Sequence, residues 1–562
     1  MYGAYFHRIL ITAVLVALTT LLPLDVLLPR RMTQTIVLST VLAQAPEVFG
    51  GAENTAIPEE VIEGKESGFV EAESVQFVFS DQLPILSTTE RARREQALRD
   101  SHVPETPLAM SSEVVAAPEG GETQPSGRAA TAPTDINLVD GVLAAPDFNI
   151  WRTSTLAPTS GNSDINEPVV GNRGRHVWYA GNWYAARSID GGVSWTYTDP
   201  ASDMPDFCCD QDVIYDKSRD QIIWYRQGSY QSSTGQNRFI LSRSLDGGAT
   251  WCSFSFFPTT FDSTWTNQWF DYPHLALSNN FLWLTTNRIA GGATTVNLSV
   301  LARFSLDTIR SCGSLSATFW TQSSGRTWTP VQGARETMYA GRIDSTDSLT
   351  LFWNDENSTT LSEVTRTVPA WTSGSMTCTL PNGDNPCARS DNRIRVGWVA
   401  KGLIGFFWNV AAGGGFPMPY VNAARFRESD KTYVDRPYLW CCASGTSVAW
   451  HYGAASPNER GDLAIASWVM GGGRYPEFNV GIDDDFNGTP PPWETVVVAG
   501  SASGPGSDTW GDYLRVRQHA PGGFGWIASG YTSNANGVSQ PHYTVFSRGR
   551  DEWNVKTWWD QP

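Results

Sequence analysis

Apolar residues along this chain gather in short runs, mostly bounded by Gly, Asp, Asn or Ser. From about residue 150 onward the runs come in pairs, as at 212–216 with 221–226 and 274–278 with 281–286. The same pairing recurs at 337–343 with 348–353, 393–400 with 403–410, 447–455 with 462–470 and 513–519 with 523–530. Runs this short, rich in β-branched and aromatic residues and separated by turn formers, predict strands rather than helices. Further predicted strands, at 237–243, 294–304, 361–366, 421–427, 477–481 and 542–547, each lead into a polar turn. A first unit begins near Pro168.

Two of those turns are nearly the same. Ser188, Asp190, Gly192 and Trp195 match S-x-D-x-G-x-x-W, and Ser244, Asp246, Gly248 and Trp251 match it again 56 residues later. The pattern is a hairpin. Asp accepts hydrogen bonds from turn N–H groups, Gly takes a positive φ, and Trp packs back beside the turn. Weaker copies fall at 305–307, 428–430, 483–485 and 548–551, and a turn without the Asp follows 361–366. The spacing is roughly 55–65 residues, the length of one four-stranded unit of a radial repeat. The two strong copies are identified as Asp-box (BNR) repeats, and the chain resembles the sialidase-like Asp-box β-propellers. The resemblance implies an all-β ring of four-stranded blades over 150–562. The pattern counts seven blades, with six, the number in catalytic sialidases, left open.

Upstream the pattern changes. His7 and Arg8 precede an apolar run at 9–22, and Ala43-Gln44-Ala45 offers small residues for cleavage. Residues 1–45 therefore read as a signal peptide or, with 9–28 long enough to cross ~30 Å of hydrocarbon, as a membrane anchor. Either predicts a secreted or surface-anchored protein. Residues 46–146 are rich in Glu, Ala, Pro, Ser and Thr, and read as a disordered acidic spacer with too little apolar surface to offset ordering entropy. The formal charge of −17 opposes nucleic acid and anionic membrane as partners, leaving glycan or extracellular protein. Eight cysteines suit disulfides in an exported chain. Cys378 and Cys387 bracket a turn and could close a small loop, while Cys208-Cys209 and Cys441-Cys442 are adjacent pairs of structural character.

Ligands of propellers meet the central channel, lined by the first strand of each blade. Asp212, Asp271, Tyr272, His274, Tyr339, Arg342, His451, Asp512, Tyr513 and Arg515 are the residues expected there. The resemblance implies that a hydrolytic site needs an arginine cluster for a substrate carboxylate, a Tyr nucleophile beside a carboxylate, and an Asp acid/base. Asp512, Tyr513 and Asp212 are the candidates for chemistry, the other residues for ligand binding. The Arg-Ile-Pro segment of true sialidases is absent: the matching region is 167–175, with Arg173 and Arg175, and Arg342, Arg436 and Arg515 match no family motif. Binding of glycan or protein without catalysis is therefore the first expectation, and an exo-glycosidase with a non-standard arginine set the second. No cofactor is required. Asp483, Asp485, Asn487 and Glu494 spell a calcium-loop pattern, against which stand the prolines at 490–492 and the place of the motif at a blade turn.

Overall fold

The structure is a computed structural model. It describes residues 60–101, 103–105, 108, 148–158, 165–293, 295–440, 448–484, 494–506 and 510–556. The chain divides into two compact units, Met1–Glu53 and Asn54–Pro562, and every described residue lies in the second.

Antiparallel meanders follow one another along the chain. The first is Val169–Arg173, His176–Gly181, Tyr184–Ser188 and Thr196–Thr198, paired in that order. Two more begin with Phe207–Asp216 and Gln268–Leu277, and another with Ala449–Pro457. Between them lies a nine-stranded sheet, in which one meander starting at Thr329–Gln332 meets another starting at Ile394–Ala400. The two join where Val331 and Gln332 run parallel to Gly397 and Trp398. The last sheet holds Arg515–Gln518, Trp526–Ser533 and Ser539–Arg548, and takes its outer strand, Phe148–Thr155, from far upstream.

The first strand of each meander touches the first strand of the next. The contacts run from Val169–Arg173 through Phe207–Asp216, Gln268–Leu277, Thr329–Gln332, Ile394–Ala400, Ala449–Pro457 and Arg515–Gln518, and back to Val169–Arg173. This is a β-propeller, with innermost strands around a central channel. Each sheet is covered on both faces by its neighbours. That is why strands such as Leu463–Gly471 are buried at every position and read as apolar runs without alternation. Trp178, Trp224 and Trp251 fill the wedge between the first two sheets, with ring centroids 4.7–5.4 Å apart. Each such ring removes about 200 Å² from water, about 5 kcal/mol on the transfer scale.

The two strong turns have matching geometry. The amides of Val193 and Ser194 donate to Asp190 Oδ1 at 3.0 and 2.9 Å, and those of Ala249 and Thr250 to Asp246 Oδ1 at 2.9 Å each. Gly192 and Gly248 donate to Ser188 and Ser244 Oγ at 2.8 Å. An arginine of the preceding sheet holds each turn: Arg152 donates to the Asp190 and Gly191 carbonyls, and Arg187 to those of Asp246 and Gly247. Gly248 has φ +87°, and a Cβ there would lie 2.6 Å from Trp178. Gly248→Ala is expected to lower stability by about 1–3 kcal/mol, read as a shift in the urea midpoint. The weaker copy at 305–307 is not such a turn. It opens the helix Leu306–Ser311, capped by Ser305, because no glycine follows Asp307 to supply a positive φ.

A disordered spacer over 46–146 is not what residues 60–105 form. Glu60–Glu63 pairs with Thr360–Thr367, Lys65–Glu66 with Ala317–Gln322, and Glu73–Val75 with Trp251–Phe256. Ser80 then bridges Tyr197. The segment walks backwards around the rim and adds an edge to four successive sheets. The composition argument weighed apolar burial alone, whereas here order comes from main-chain pairing with unpaired sheet edges. The helix Thr88–Ser101 follows, with Arg94 buried over the Trp183 ring at 5.4 Å. Disulfides join Cys208 to Cys209, Cys252 to Cys312, and, as its bracketing turn suggested, Cys378 to Cys387. Cys441 and Cys442 lie outside the described residues.

Candidate functional site

The starts of the innermost strands converge on one buried group of charges. Glu167 precedes Val169–Arg173, Asp210 and Asp212 sit on Phe207–Asp216, and Asp271, Tyr272 and His274 on Gln268–Leu277. Arg389, Asp391 and Arg393 lead into Ile394–Ala400, which carries Arg395. Asp512 and Tyr513 lead into Arg515–Gln518, which carries Arg515 and Arg517. Three of these inward segments are bent in the same way. Cys209, Tyr272 and Tyr452 take φ of +58°, +59° and +55°, a conformation that costs a non-glycine residue about 1–3 kcal/mol and gathers at functional sites. At Tyr272 and Tyr452 the bend accompanies a register shift in the ladder.

Tyr513 stands at the centre. Its hydroxyl donates to Asp210 Oδ2 at 3.0 Å, and its ring lies 5.2 Å from Tyr272 and 5.7 Å from His274. Arg515 lies over its ring at 4.9 Å. Arg395 reaches the Tyr272 hydroxyl at 2.8 Å and Asp512 at 3.1 Å, and also meets Asp391 at 3.1 Å. Arg393 stacks on Tyr272 at 4.3 Å and pairs with Asp391 at 2.6 Å. Deeper in the channel, Asp212 takes Arg515 at 3.2 Å and Arg517 at 2.8 Å. A cavity of about 10 Å³ between Asp212, His274, Arg395 and Arg515 has room for roughly one water. At the other end of the channel, a basin of about 1190 Å³ is lined by polar groups including Lys217, Arg335, Lys401 and Glu459.

Burial and neighbours push these carboxyls apart. Burial raises Glu167 to about 6, against the pull of Arg389. It raises Asp271 to about 6 as well. Burial, then the charges of Glu167 and Asp271, hold Asp210 well above the usual carboxylate range. Burial also opposes ionisation of Asp212, but Arg515 and Arg517 outweigh it and hold that carboxyl at about 2. Burial and Arg515 keep His274 well below its ordinary value. A raised carboxyl favours the folded state only while protonated. The stability from Glu167 is complete below its ordinary 4.5 and is lost as pH rises through about 6. Glu167→Gln is expected to flatten that fall, seen in urea midpoints measured across the interval.

Of the residues expected at the channel, Asp212, Asp271, Tyr272, His274, Asp512, Tyr513 and Arg515 come together. His451 lies beside them against Tyr452, ring centroids 4.5 Å apart, with burial lowering it to about 3. Tyr339 and Arg342 do not reach the channel. They lie on Thr337–Ser345, the second strand of its meander, because Thr329–Gln332 takes the innermost place. Tyr339 donates to Glu428 at 3.1 Å, and Arg342 meets Asp344 at 2.6 Å. Arg173 pairs with Asp220, and Arg436 covers Tyr438. Glu167, Asp210, Arg389, Asp391, Arg393 and Arg395 escaped the sequence reading. Arg389-x-Asp391-x-Arg393-x-Arg395 was a visible signal: charges at every second position leading into an apolar strand.

Of the calcium pattern, Asp485, Asn487 and the Glu494 side chain lie outside the described residues. Asp483 faces Arg425 at 4.0 Å. Among the described residues no group of three His, Cys, Asp or Glu is placed to hold a metal ion. Among them, too, no helix is long and apolar enough to cross a membrane, and the segment 1–45 lies outside them.

No family model and no curated protein matches the sequence. Among solved structures, the chain is similar to an α-L-arabinofuranosidase of Fusarium graminearum, at 11% identity and TM-score 0.37 over 71% of this chain and 98% of that one. It is similar to the NanB sialidase of Streptococcus pneumoniae, at 10% and 0.37 over 66% and 82%. It is also similar to a Trypanosoma rangeli sialidase, at 10% and 0.32 over 58% and 53%. The fold follows from the strand pairing above, independently of these likenesses.

Proposed function

We propose that this chain is an exported, seven-bladed Asp-box β-propeller that acts on glycans as an exo-glycosidase of sialidase type with a non-standard arginine set. The observation that carries the reading is Tyr513 donating to Asp210 at 3.0 Å inside the cluster that holds Arg393, Arg395 and Arg515. Tyr513 Oη is the nucleophile. Asp210, kept basic by burial and by its acidic neighbours, takes the phenolic proton as the oxygen attacks. Glu167 and Asp271, each at about 6, are the groups able to protonate a leaving oxygen in mildly acid solution. The arginines supply planar donors for a carboxylate or for charge developing at the ring.

The blade count rests on the ring of first strands, in which the nine-stranded sheet supplies two. Three disulfides support export, glycan is the partner, and the net charge of −17 opposes nucleic acid. Membrane contact, if the chain has any, runs through the N-terminal segment.

A second reading, binding of glycan or protein without catalysis, is favoured by one observation. Arg393, Arg395 and Arg515 each already meet a carboxylate of this chain. A panel of fluorogenic sialosides, uronides and arabinofuranosides decides between the two. Turnover of at least one anionic substrate, rising toward mildly acid pH, is the expected result. Binding on a glycan array with no turnover of any substrate would leave the second reading standing.

A further inference from the structure

Residues 60–105 are not needed to close the ring, since Phe148–Thr155 completes the last sheet. They are an addition to a propeller already shut, and their inner end lies over the charged cluster. Past the helix Thr88–Ser101, Val103 is buried against Trp269, Ile289 and Val296. Its carbonyl accepts from Arg393 Nη2 at 3.1 Å, and the Pro104 carbonyl accepts from the Val296 amide at 3.2 Å. The Glu105 carboxylate accepts the Thr327 amide and stands 3.6 Å from Arg326. Arg393 is the link to the centre, for its guanidinium covers the Tyr272 ring, and that ring stacks beside Tyr513.

A carboxylate has thus been brought from another part of the chain to two arginines, one of which reaches the centre. Arg393 does not depend on it for charge, because Asp391 pairs with it at 2.6 Å. Nor is Glu105 there as good filling. Burial penalises its charged form more than any neighbour favours it, and Asp391 opposes it further. A buried carboxylate held at a net electrostatic cost contributes little to stability. It does exclude anything else from the same donors. An occupant tethered to its own site competes at an effective concentration in the millimolar range, which a weak free ligand does not overcome.

We propose that Arg326 and Arg393 form a carboxylate subsite at the channel mouth, which the chain fills with its own Glu105, so that residues 103–105 plug the site until they are displaced. The ligand it takes is a carboxylated sugar, entering where Glu105 leaves. The link to hydrolysis rests on the function proposed above; the subsite itself does not.

The test uses the full chain and its Glu105→Ala and Glu105→Gln variants, each checked for an unchanged urea midpoint. N-acetylneuraminic acid and glucuronic acid are titrated by calorimetry, with galactose as the neutral control. Both variants are expected to bind an acidic sugar at least tenfold more tightly than the parent chain, with galactose unaffected. Adding Arg393→Ala to Glu105→Ala is expected to abolish the gain. Amide exchange at Thr327, whose acceptor is Glu105, is expected to accelerate at least tenfold in both variants. Folded variants with no gain in acid binding overturn the proposal, as does an equal gain for galactose. Acid binding gained without turnover of any fluorogenic substrate keeps the plug and overturns the glycosidase reading alone.

Discussion

Asp212→Ala is expected to destabilise the protein by about 3–5 kcal/mol, the largest effect of any single substitution considered. The carboxylate is buried and accepts from Arg515 Nε and Nη2 at 3.2 Å, from Arg517 Nη2 at 2.8 Å and from the Leu275 amide at 3.0 Å. Its removal strands two guanidiniums in the channel wall, where water cannot reach them. The loss far exceeds the worth of an exposed ion pair, because the cost is that of the charges left behind. The sign with pH is fixed by the depressed carboxyl. Its contribution is complete above the ordinary value of 3.8 and is lost as pH falls through about 2. Asp212→Asn should therefore lose stability near neutrality and show a flatter acid limb than the parent. Urea midpoints measured at neutral and at acid pH report both, and an unchanged neutral midpoint would remove Asp212 from the channel's support.

Tyr513→Phe is expected to lower turnover by roughly 10²–10⁴-fold, the range associated with losing a group that takes part in bond making. The ring contacts with Tyr272 and His274 remain, and only the hydroxyl is lost. Asp210 then has no phenol to accept from, a cost of about 1–3 kcal/mol in stability. The effect should fall on kcat with KM little changed, because the hydroxyl acts on the reacting carbon rather than in holding the rest of the sugar. Steady-state kinetics on the best fluorogenic substrate separate the two constants. Full activity in the phenylalanine variant places the nucleophile elsewhere and leaves the Tyr513–Asp210 pair a structural contact.

The ring could be read from the sequence because its turns are chemical. Asp190 and Asp246 each bind several amides of their own turn, and only glycine fits beside Trp178 at position 248. Such needs leave letters in fixed places. The site was legible in half. Tyr272, His274, Tyr513 and Arg515 stand on strands whose order follows from the meander. Thr329–Gln332 was missed because it is only four residues long and carries a proline, so Thr337–Ser345 was taken as first, and Tyr339 and Arg342 were put in the channel. Asp210 was hidden by its setting beside an adjacent cysteine pair. The rim strands were hidden for a different reason. Glu60–Glu63 and Lys65–Glu66 contain almost nothing apolar, and what orders them belongs to other sheets.

The pairing of Phe148–Thr155 with Ser539–Arg548 also bears on how the molecule is made. Ile150 finds its partner Phe546 only after nearly 400 further residues have left the ribosome. Until then every nascent copy is an open arc, with the edge of its last completed sheet exposed at one end and a solitary upstream strand waiting at the other. Closure is a single late event of high loop entropy, so production of the intact protein should depend on chaperoning that open arc more than on the stability of any finished blade.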